Sequence, residues 1–331
     1  MRLRDFVVLI GAATLTVPGL AQAQYKAPRT VDGHPDFQGF WENNIATPLQ
    51  RPSEIADRPT LTDAEVEKMR QKANEMFTGK SDAVFFDGFY PAVLDNVLGL
   101  RQGFKSSDGE TGDYGSEWND ARKWENRTSL ITDPPDGRIP ALTPQAIEAR
   151  TAARKTSQRT ATVKDRPLGE RCITYGSPQL TAGYQSYYQI VETPGAVVIM
   201  TEMFHDARVV RMDKGSHPPE NVQGWLGDSI GHWEGDTLVV DTTNYRPHAF
   251  QSISSEKLHI IERLTRQDAE TLRYEITVDD PETYTRPWSL MVPLSRSSKP
   301  VYEYACHEGN YSLAGILAGA RAEEAKQATS K

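Results

Sequence analysis

The second half of the chain alternates short apolar segments with polar turns. Segments such as QSYYQIVE, AVVIMTEMF, TLVVDTTNY and TLRYEITV are rich in β-branched and aromatic residues, which is typical of β-strands. No segment of helical length separates them, so neighbouring strands are expected to pair antiparallel. A meander of about eight or nine strands closes most simply into a barrel, because closure removes exposed strand edges. The pattern predicts a mainly β fold with a few peripheral helices, in which an antiparallel meander closes into a lipocalin-like or similar barrel.

Three segments outside the strand region have helical spacing. The first begins at a capping box formed by Thr62 and Glu65 and places its apolar residues on one face. The second begins at Thr143, with proline in its first turn, and the third begins at Ser312. We expect these segments to be α-helices that flank the barrel.

The first residues have the composition of a secretory signal peptide. A basic start and an apolar run precede Ala21-Gln22-Ala23, so cleavage is expected after Ala23 and the mature protein is expected in the periplasm or outside the cell. The apolar run is too short to span a bilayer, so no membrane insertion is expected after cleavage. The chain is thus divided into the signal peptide at 1–23, a loop-rich and helical extension packing on the barrel at 24–170, the antiparallel barrel at 171–311, and a C-terminal helix and tail at 312–331.

Charge and cysteine content narrow the classes of partner. The formal net charge is −8, and an acidic surface repels phosphate backbones, so nucleic acid is not an expected partner. The two cysteines, Cys172 and Cys306, are an even number in an oxidising compartment, which favours one disulfide between them. Such a bond weighs against Cys306 as a nucleophile. The expected partner is a small molecule, and the oligomeric state stays open.

Strand alternation brings polar groups to the apolar face of three consecutive strands. In LHIIERL, TLRYEITV and YTRPWSL these groups are Glu262, Tyr274 and Arg286. One interpretation is a structural Glu262–Arg286 ion pair closed by Tyr274, or a register slip at a bulge that turns these groups outward. The other is catalytic: Glu262, with a raised pKa, acts as a general acid or base, while Tyr274 and Arg286 bind or polarise a substrate oxygen.

The segment MTEMFHDARVV supplies a second candidate for proton transfer. Alternation places His205 on one face with Met203 and Val209, and places Asp206 and Arg208 on the opposite face. An imidazole on an apolar face is either a hydrogen-bonded core histidine or a proton shuttle, because its unperturbed pKa lies near neutral pH. The side chains expected to contact a substrate are Tyr188, Trp288, Asp206, Arg208 and His307.

Signatures of metal and cofactor sites are missing from the sequence. The segment HEGNY departs from H-E-x-x-H, neither H-x-H nor C-x-x-C occurs, and the seven histidines are scattered. His232 and Glu234 are spaced to hold a metal from one strand face or to form an exposed hairpin pair. There is no G-x-G-x-x-G or P-loop motif. We therefore expect no metal site and no cofactor.

Long motifs give the chain a resemblance to one group of bacterial proteins. RTSLITDPPDGRIP, WEGDTLVVDTTNY and YEYACHEGNY, with others between Gly33 and Arg321, resemble a large group of exported proteins common in sphingomonads, other proteobacteria and acidobacteria. The resemblance implies membership of that group and carries no catalytic assignment to positions in this chain. The region from about residue 80 to 120 is more particular to this chain and is expected to form a lid or substrate loop.

Three functions fit these patterns. The first is a cofactor-independent enzyme of lyase or isomerase type, acting by acid–base chemistry on a hydrophobic, oxygenated small molecule such as an aromatic or polycyclic compound. In it His205 is the proton shuttle, Glu262 its acid or base partner, and Tyr274 and Arg286 the ligands of the substrate oxygen. The second is a periplasmic binding protein for the same class of ligand. The third is a metal-dependent hydrolase using His205, His232, Glu234 or His307.

Overall fold

The computed structural model describes residues 25–78, 82–84, 86–105, 115–116, 121–157, 159–213 and 215–329. The predicted signal peptide at 1–23 lies outside these residues, as does part of the region from 80 to 120. The described fold is mainly β. Its strands are β1 (Gly39–Glu42), β2 (Ile131–Asp133), β3 (Tyr187–Thr193), β4 (Ala196–Thr201), β5 (Ala207–Arg211), β6 (Asp228–Glu234), β7 (Thr237–Thr243), β8 (His259–Arg266), β9 (Thr271–Asp279) and β10 (Trp288–Ser297).

The strands form one sheet that closes on itself. Nine of them make a barrel in the order β1-β3-β4-β5-β6-β7-β8-β9-β10, with β10 paired back to β1, and β2 pairs with β10 outside the barrel. Every pairing is antiparallel except that of β5 with β6, which is parallel. A ring of nine strands needs at least one parallel pair, because strand direction must reverse an even number of times around it. The long connection at 212–227 supplies the crossover that a parallel pair requires.

The strand that completes the barrel comes from the N-terminal part of the chain. β1 is four residues long and pairs with both β3 and β10. Its Trp41 is fully buried, and the indole N–H donates to the Phe37 carbonyl at 2.8 Å. The predicted strands β3 to β10 and the predicted barrel are confirmed, whereas β1 and β2 were missed because their alternation is too short to recognise.

The interior of the barrel is filled by side chains. Buried residues alternate with half-buried ones along β8, and the same alternation continues on β9 and β10. The predicted inward faces of β8 and β9 are therefore confirmed. The largest fully buried side chains of the barrel core are Trp41, Trp288, Tyr245, Phe37 and Phe250. The lumen is therefore a packed core of the kind that small barrels have.

Four α-helices in the described residues lie outside the barrel. They are α1 (Asp63–Met76), α2 (Phe89–Val97), α3 (Pro144–Ser157) and α4 (Tyr311–Thr329). The predicted capping box of α1 is present, since Thr62 Oγ1 accepts from the Glu65 N–H at 3.3 Å and the Glu65 carboxylate accepts from the Thr62 N–H at 2.9 Å. α1 packs against the unpredicted α2 through Met69 and Val93. No described helix is long and apolar enough to cross a membrane.

The residues after β10 cross one end of the barrel without joining the sheet. Residues 300–305 have no regular secondary structure, and a turn follows at 306–309. The Tyr302 N–H donates to Glu202 Oε2 at 2.9 Å, and the Tyr304 N–H donates to His205 Nδ1 at 3.2 Å. These bonds hold the segment at the end where β3, β5, β8 and β10 begin, which we call the mouth.

Candidate functional site

Three ionisable side chains meet in the centre of the barrel. Glu262 on β8, Tyr274 on β9 and Arg208 on β5 are each at most 4% exposed. Both terminal nitrogens of Arg208 donate to the Glu262 carboxylate, with Nη2 2.6 Å from Oε1, and the Tyr274 hydroxyl donates to the same oxygen. Arg208 Nη1 also donates to Thr242 Oγ1 at 3.2 Å. The cluster is a closed ion pair with its partners inside the fold.

Burial and mutual attraction set the protonation of this lumen cluster. Burial alone lowers the pKa of Arg208, but attraction to Glu262 and the hydrogen bonds between them outweigh it, so this pKa is raised and the guanidinium stays charged. Burial and the nearby negative charge of Glu262 raise the pKa of Tyr274 well above its usual value, so its hydroxyl stays protonated. The geometry matches the interpretation of Glu262 and Tyr274 as parts of a structural ion pair. The arginine of that pair is Arg208, and not Arg286 as expected.

The expected inward orientation of Arg286 is wrong. Its side chain is about half exposed, and its Nη2 donates to the Asp133 carboxylate at the edge of β2. β10 begins at Trp288, so Arg286 precedes the strand and the alternation of the sheet does not govern its direction. It lies outside the lumen cluster.

The expected face of His205 is also wrong, for a related reason. Met203–His205 forms a 3₁₀ turn between β4 and β5, and Phe204 and His205 have positive φ angles of 64° and 50°. The turn shifts the phase of alternation, so that the inward residues of β5 are Arg208 and Val210. The His205 Nδ1 accepts a backbone hydrogen bond from the C-terminal segment, so His205 anchors that segment at the mouth.

The other side chains expected to contact a substrate lie in different places. Tyr188 and Trp288 are buried in the barrel core, and the Tyr188 hydroxyl donates to the Gln179 carbonyl at 3.3 Å. Asp206 accepts from the Thr174 hydroxyl at 2.6 Å and so ties the segment ahead of β3 to the barrel. Burial raises the pKa of Asp206.

The residues considered for metal binding are scattered. His307 is exposed in the turn after β10. His232 Nε2 lies 3.2 Å from Glu234 Oε1 on the hairpin of β6 and β7, and both side chains are about half exposed. Within the part of the chain that the structure describes, no group of three or more His, Cys, Asp or Glu side chains is arranged to hold a metal ion.

The predicted disulfide between Cys172 and Cys306 is present, with the Cα atoms 5.7 Å apart. It joins the segment ahead of β3 to the segment after β10. The Asn310 amide donates to the Glu170 carbonyl at 2.8 Å and to Cys172 Sγ at 3.3 Å, which fastens the same two segments beside the bond. Cys306 is therefore a structural anchor, and both anchored segments reach the mouth.

A cavity of about 870 Å³ opens at the mouth. Its walls come from an N-terminal loop, the segment ahead of β3, the turn between β4 and β5, the loop between β7 and β8, and the segment after β10. Its lining side chains include Asp87, Glu170, Tyr175, Phe204, His248 and Tyr304. We call it the mouth cavity, and its volume is within the range of small-molecule sites.

Three aromatic rings form one wall of the mouth cavity. The ring centroids of Tyr175 and Phe204 are 6.2 Å apart, and those of Phe204 and Tyr304 are 5.0 Å apart. These spacings are typical of favourable aromatic contacts. Tyr175 and Tyr304 lie on the two segments that the disulfide joins, so the covalent bond also fixes the ends of this aromatic wall.

Asp87 is one of two carboxyl groups that line the mouth cavity, and it was not predicted from the sequence. One carboxylate oxygen, Oδ1, accepts from the Leu49 N–H at 2.6 Å, and the described residues form no other hydrogen bond or ion pair with the carboxyl. Burial raises the pKa of Asp87 above its usual value, although the hydrogen bond from Leu49 opposes the change. The signal in the sequence was AVFFDGFYPAV, where a single acid stands within an aromatic and apolar run.

Unusual backbone angles are concentrated around this cavity. Eight non-glycine residues of the described chain have φ between 50° and 64°, and all lie in segments at the mouth: Cys172, Gln185, Phe204, His205, Asn244, His248, Gln251 and Ser252. Such angles are uncommon for residues with a Cβ atom, and strained residues tend to cluster at functional sites. His248 lines the cavity on an exposed loop, and Glu170 is bound by Arg166 at 2.7 Å.

A comparison of the chain with protein-family models, with curated proteins and with solved structures finds no significant match in any of the three. The function is therefore argued from the mouth cavity, where a carboxyl group, an imidazole and an aromatic wall face one space.

Proposed function

We propose that the protein is an exported enzyme that binds a hydrophobic, oxygenated small molecule in the mouth cavity and performs acid–base chemistry on it, as a lyase or isomerase does. Asp87 and His248 are the proton-transfer groups of this proposal, in place of the lumen residues. The observation that carries it is the Asp87 carboxyl, which lines an aromatic cavity and has a raised pKa. The disulfide supports export, because such bonds persist in oxidising compartments.

The lining of the mouth cavity supports the class of ligand. Tyr175, Phe204 and Tyr304 offer ring surface to a flat apolar body, while Asp87 and His248 offer hydrogen bonds to oxygen atoms. The aromatic wall would orient the body of the molecule, and the polar groups would select its oxygenated side.

The chemistry follows from the environment of the two groups. A partly desolvated carboxyl is a stronger base than an exposed one, so ionised Asp87 would take a proton from a carbon next to a carbonyl. His248 lines the same cavity and would donate a proton to the carbonyl oxygen or to a leaving group, because an imidazole ring nitrogen can carry a transferable proton. Return of the proton at another carbon gives an isomer, and loss of the leaving group gives a lyase product.

A second candidate function is a binding protein without turnover. The aromatic wall favours it, since ring contacts alone hold a ligand and require no proton transfer. The two candidates share the cavity and differ only in what Asp87 does to the bound molecule.

Hydrogen exchange separates these functions without knowledge of the natural substrate. The wild-type protein would be incubated in D₂O with aromatic ketones such as α-tetralone, chromanone and deoxybenzoin, and deuterium next to the carbonyl would be followed by mass spectrometry. We expect exchange that falls at least about 100-fold in Asp87→Asn, because removing a general base typically costs that factor. Asp57→Asn, at an exposed aspartate, is the matched control and should exchange like the wild type.

The outcomes are distinct. Exchange that persists in Asp87→Asn would show that Asp87 is not the base. Thermal protection of the wild type by the same ketones, with no exchange above that of the buffer, would favour the binding protein.

A further inference from the structure

A second cavity, of about 810 Å³, lies beside the mouth cavity. The two share four lining residues, Pro167, Leu168, His248 and Ser252. The second cavity runs between α3 and the loop that joins β7 to β8. Because the two spaces share a wall that includes His248, one elongated molecule can occupy both.

The second cavity concentrates positive charge in an acidic protein. Its cationic lining residues are Arg150, Arg154, Lys164, Arg166 and Arg171. Asp165 supplies the only carboxylate among the described lining residues. It caps a turn by accepting from the Thr162 N–H at 2.7 Å and the Thr162 hydroxyl at 3.0 Å. The chain as a whole carries a formal charge of −8, so the positive charge of this cavity is opposite in sign to the net charge of the protein.

Three of these cations have no counter-ion in the described part of the chain. Arg166 is bound by Glu170 at 2.7 Å, but Arg150, Lys164 and Arg171 form no ion pair with a described carboxylate. Arg150 lies on α3, whereas Lys164 and Arg171 lie on the segment that leads to β3. Two separate elements therefore direct unpaired positive charge into one cavity.

Most of the remaining lining is apolar. α3 contributes alanine side chains, and the loops contribute Trp225, Ile253 and Leu168. The guanidinium of Arg246 lies 5.2 Å from the Trp225 ring centroid and adds charge at this side. A fully hydrated ion would gain little from such a surface, whereas an anion joined to a hydrophobic body would gain from both parts. We call this cavity the basic groove.

We infer that the ligand of the mouth cavity is an amphipathic anion, whose oxygenated hydrophobic body lies against the aromatic wall and whose acidic group lies in the basic groove. The inference rests on the proposed function and specifies its substrate class. Carboxylate, sulfonate and phosphate share the required chemistry, because each accepts paired hydrogen bonds from guanidinium groups. His248 lines both cavities, so it would contact both the hydrophobic body and the acidic group of the ligand.

A matched pair of dyes tests this inference. Anilinonaphthalene sulfonate and N-phenyl-naphthylamine have the same aromatic body, and only the first carries a sulfonate. Both fluoresce strongly in apolar surroundings, so both can be titrated into the folded full chain at low salt. We expect the sulfonate dye to bind about tenfold more tightly, and the difference to shrink when NaCl is raised, because salt screens partly exposed charges.

The variant Arg150→Gln/Arg171→Gln removes the unpaired charges and keeps polar side chains. It should lower affinity for the sulfonate dye about tenfold and leave affinity for the neutral dye unchanged. Arg101→Gln/Arg138→Gln is the control for net charge, since these arginines lie away from both cavities and form no described ion pair. Displacement of the sulfonate dye by decanoate and by decyl phosphate, but not by decanol, would identify which acid group is preferred.

Each outcome bears on one of the two proposals. Equal binding of the two dyes, or a sulfonate preference that survives Arg150→Gln/Arg171→Gln, would overturn the anionic ligand and leave the mouth cavity in place. Binding of both dyes that is unaffected by Phe204→Ala would overturn the mouth cavity as the site. Far-ultraviolet circular dichroism and thermal unfolding of each variant would exclude dye binding to unfolded protein.

Discussion

The lumen and the mouth of the barrel hold carboxyl groups in opposite circumstances. In the lumen, Glu262 is fully buried and its oxygens are bound by Arg208 and Tyr274. At the mouth, Asp87 is also withdrawn from water, but it receives only one backbone N–H and has no ion-pair partner among the described residues. A carboxyl group whose hydrogen-bond partners are all residues of the same protein stabilises the folded state. One with unused hydrogen-bonding capacity is available to a ligand.

The backbone differs between the two regions in the same way. The strands around the lumen alternate regularly, whereas every non-glycine residue with positive φ in the described chain lies at the mouth. Strained residues persist only where surrounding contacts hold them. At the mouth, the disulfide and the hydrogen bonds of Glu202 and His205 supply such contacts.

The largest effect that would test this comparison is expected from Glu262→Gln. The substitution leaves the Arg208 guanidinium buried without a negative partner, which typically costs about 3 to 5 kcal/mol. Urea unfolding followed by circular dichroism should show this loss of stability. Below the transition, the variant should retain ketone exchange, because the lumen cluster is not part of the mouth cavity.

Glu234→Gln is the matched control, since Glu234 is about half exposed and bound by Arg263 at 2.7 Å. Loss of this surface pair should cost less than about 1 kcal/mol. If Glu262→Gln folds with unchanged stability but loses ketone exchange, the reactive groups lie in the lumen and not at the mouth.

The regular part of the fold was readable from the sequence, because alternation with a period of two survives over seven to ten residues. That length identified β8, β9 and β10 and their inward faces. It failed at the ends of strands: one turn at 203–205 reversed the expected direction of Arg208, and the start of β10 at Trp288 excluded Arg286. The disulfide was predictable because two cysteines have one intramolecular pairing, which an oxidising compartment favours.

The mouth cavity was not readable in the same way. Asp87, Phe204 and His248 are far apart in sequence and meet only because loops from different strands return to one barrel end. No local period encodes such a meeting. The unusual residue in AVFFDGFYPAV was visible, but its position over the barrel depends on the hydrogen bond from Leu49 and on the packing of α2.

Asp87→Asn should act on stability in the direction opposite to Glu262→Gln. Burial raises the pKa of Asp87, so the folded protein binds this proton more tightly than the unfolded chain does. The stability of the wild type therefore falls as pH rises from the usual pKa of aspartate through the raised one. Asparagine does not titrate, so the variant should be more stable at pH 7 by roughly 0.5 to 2 kcal/mol, the range of single stabilising substitutions.

Urea unfolding at several pH values between about 4 and 8 would measure this difference, which should disappear in acid where Asp87 is protonated in both states. Asp57→Asn should show no such trend, because Asp57 is exposed. A variant that is less stable than the wild type at pH 7 would mean that the carboxylate is supported by the fold, as Glu262 is.

The smallest effect concerns the strain at the mouth and is expected at Gln251, an exposed residue that lines the mouth cavity with φ 51°. At this angle a Cβ atom is disfavoured, so Gln251→Gly should be more stable than Gln251→Ala by roughly 0.5 to 1 kcal/mol after the greater flexibility of glycine in the unfolded chain is included. At the exposed Gln267, which lacks a positive φ, the same pair of substitutions should give the opposite order. Thermal unfolding of the four variants measures both differences.

If the strained loop also holds the cavity in its binding shape, the neutral dye should bind more weakly to Gln251→Gly than to Gln251→Ala, since a looser loop must be ordered on binding. If Gln251→Ala and Gln251→Gly are equally stable, the backbone at residue 251 is not strained. The mouth and the lumen would then differ in the environment of their carboxyl groups and not in backbone strain.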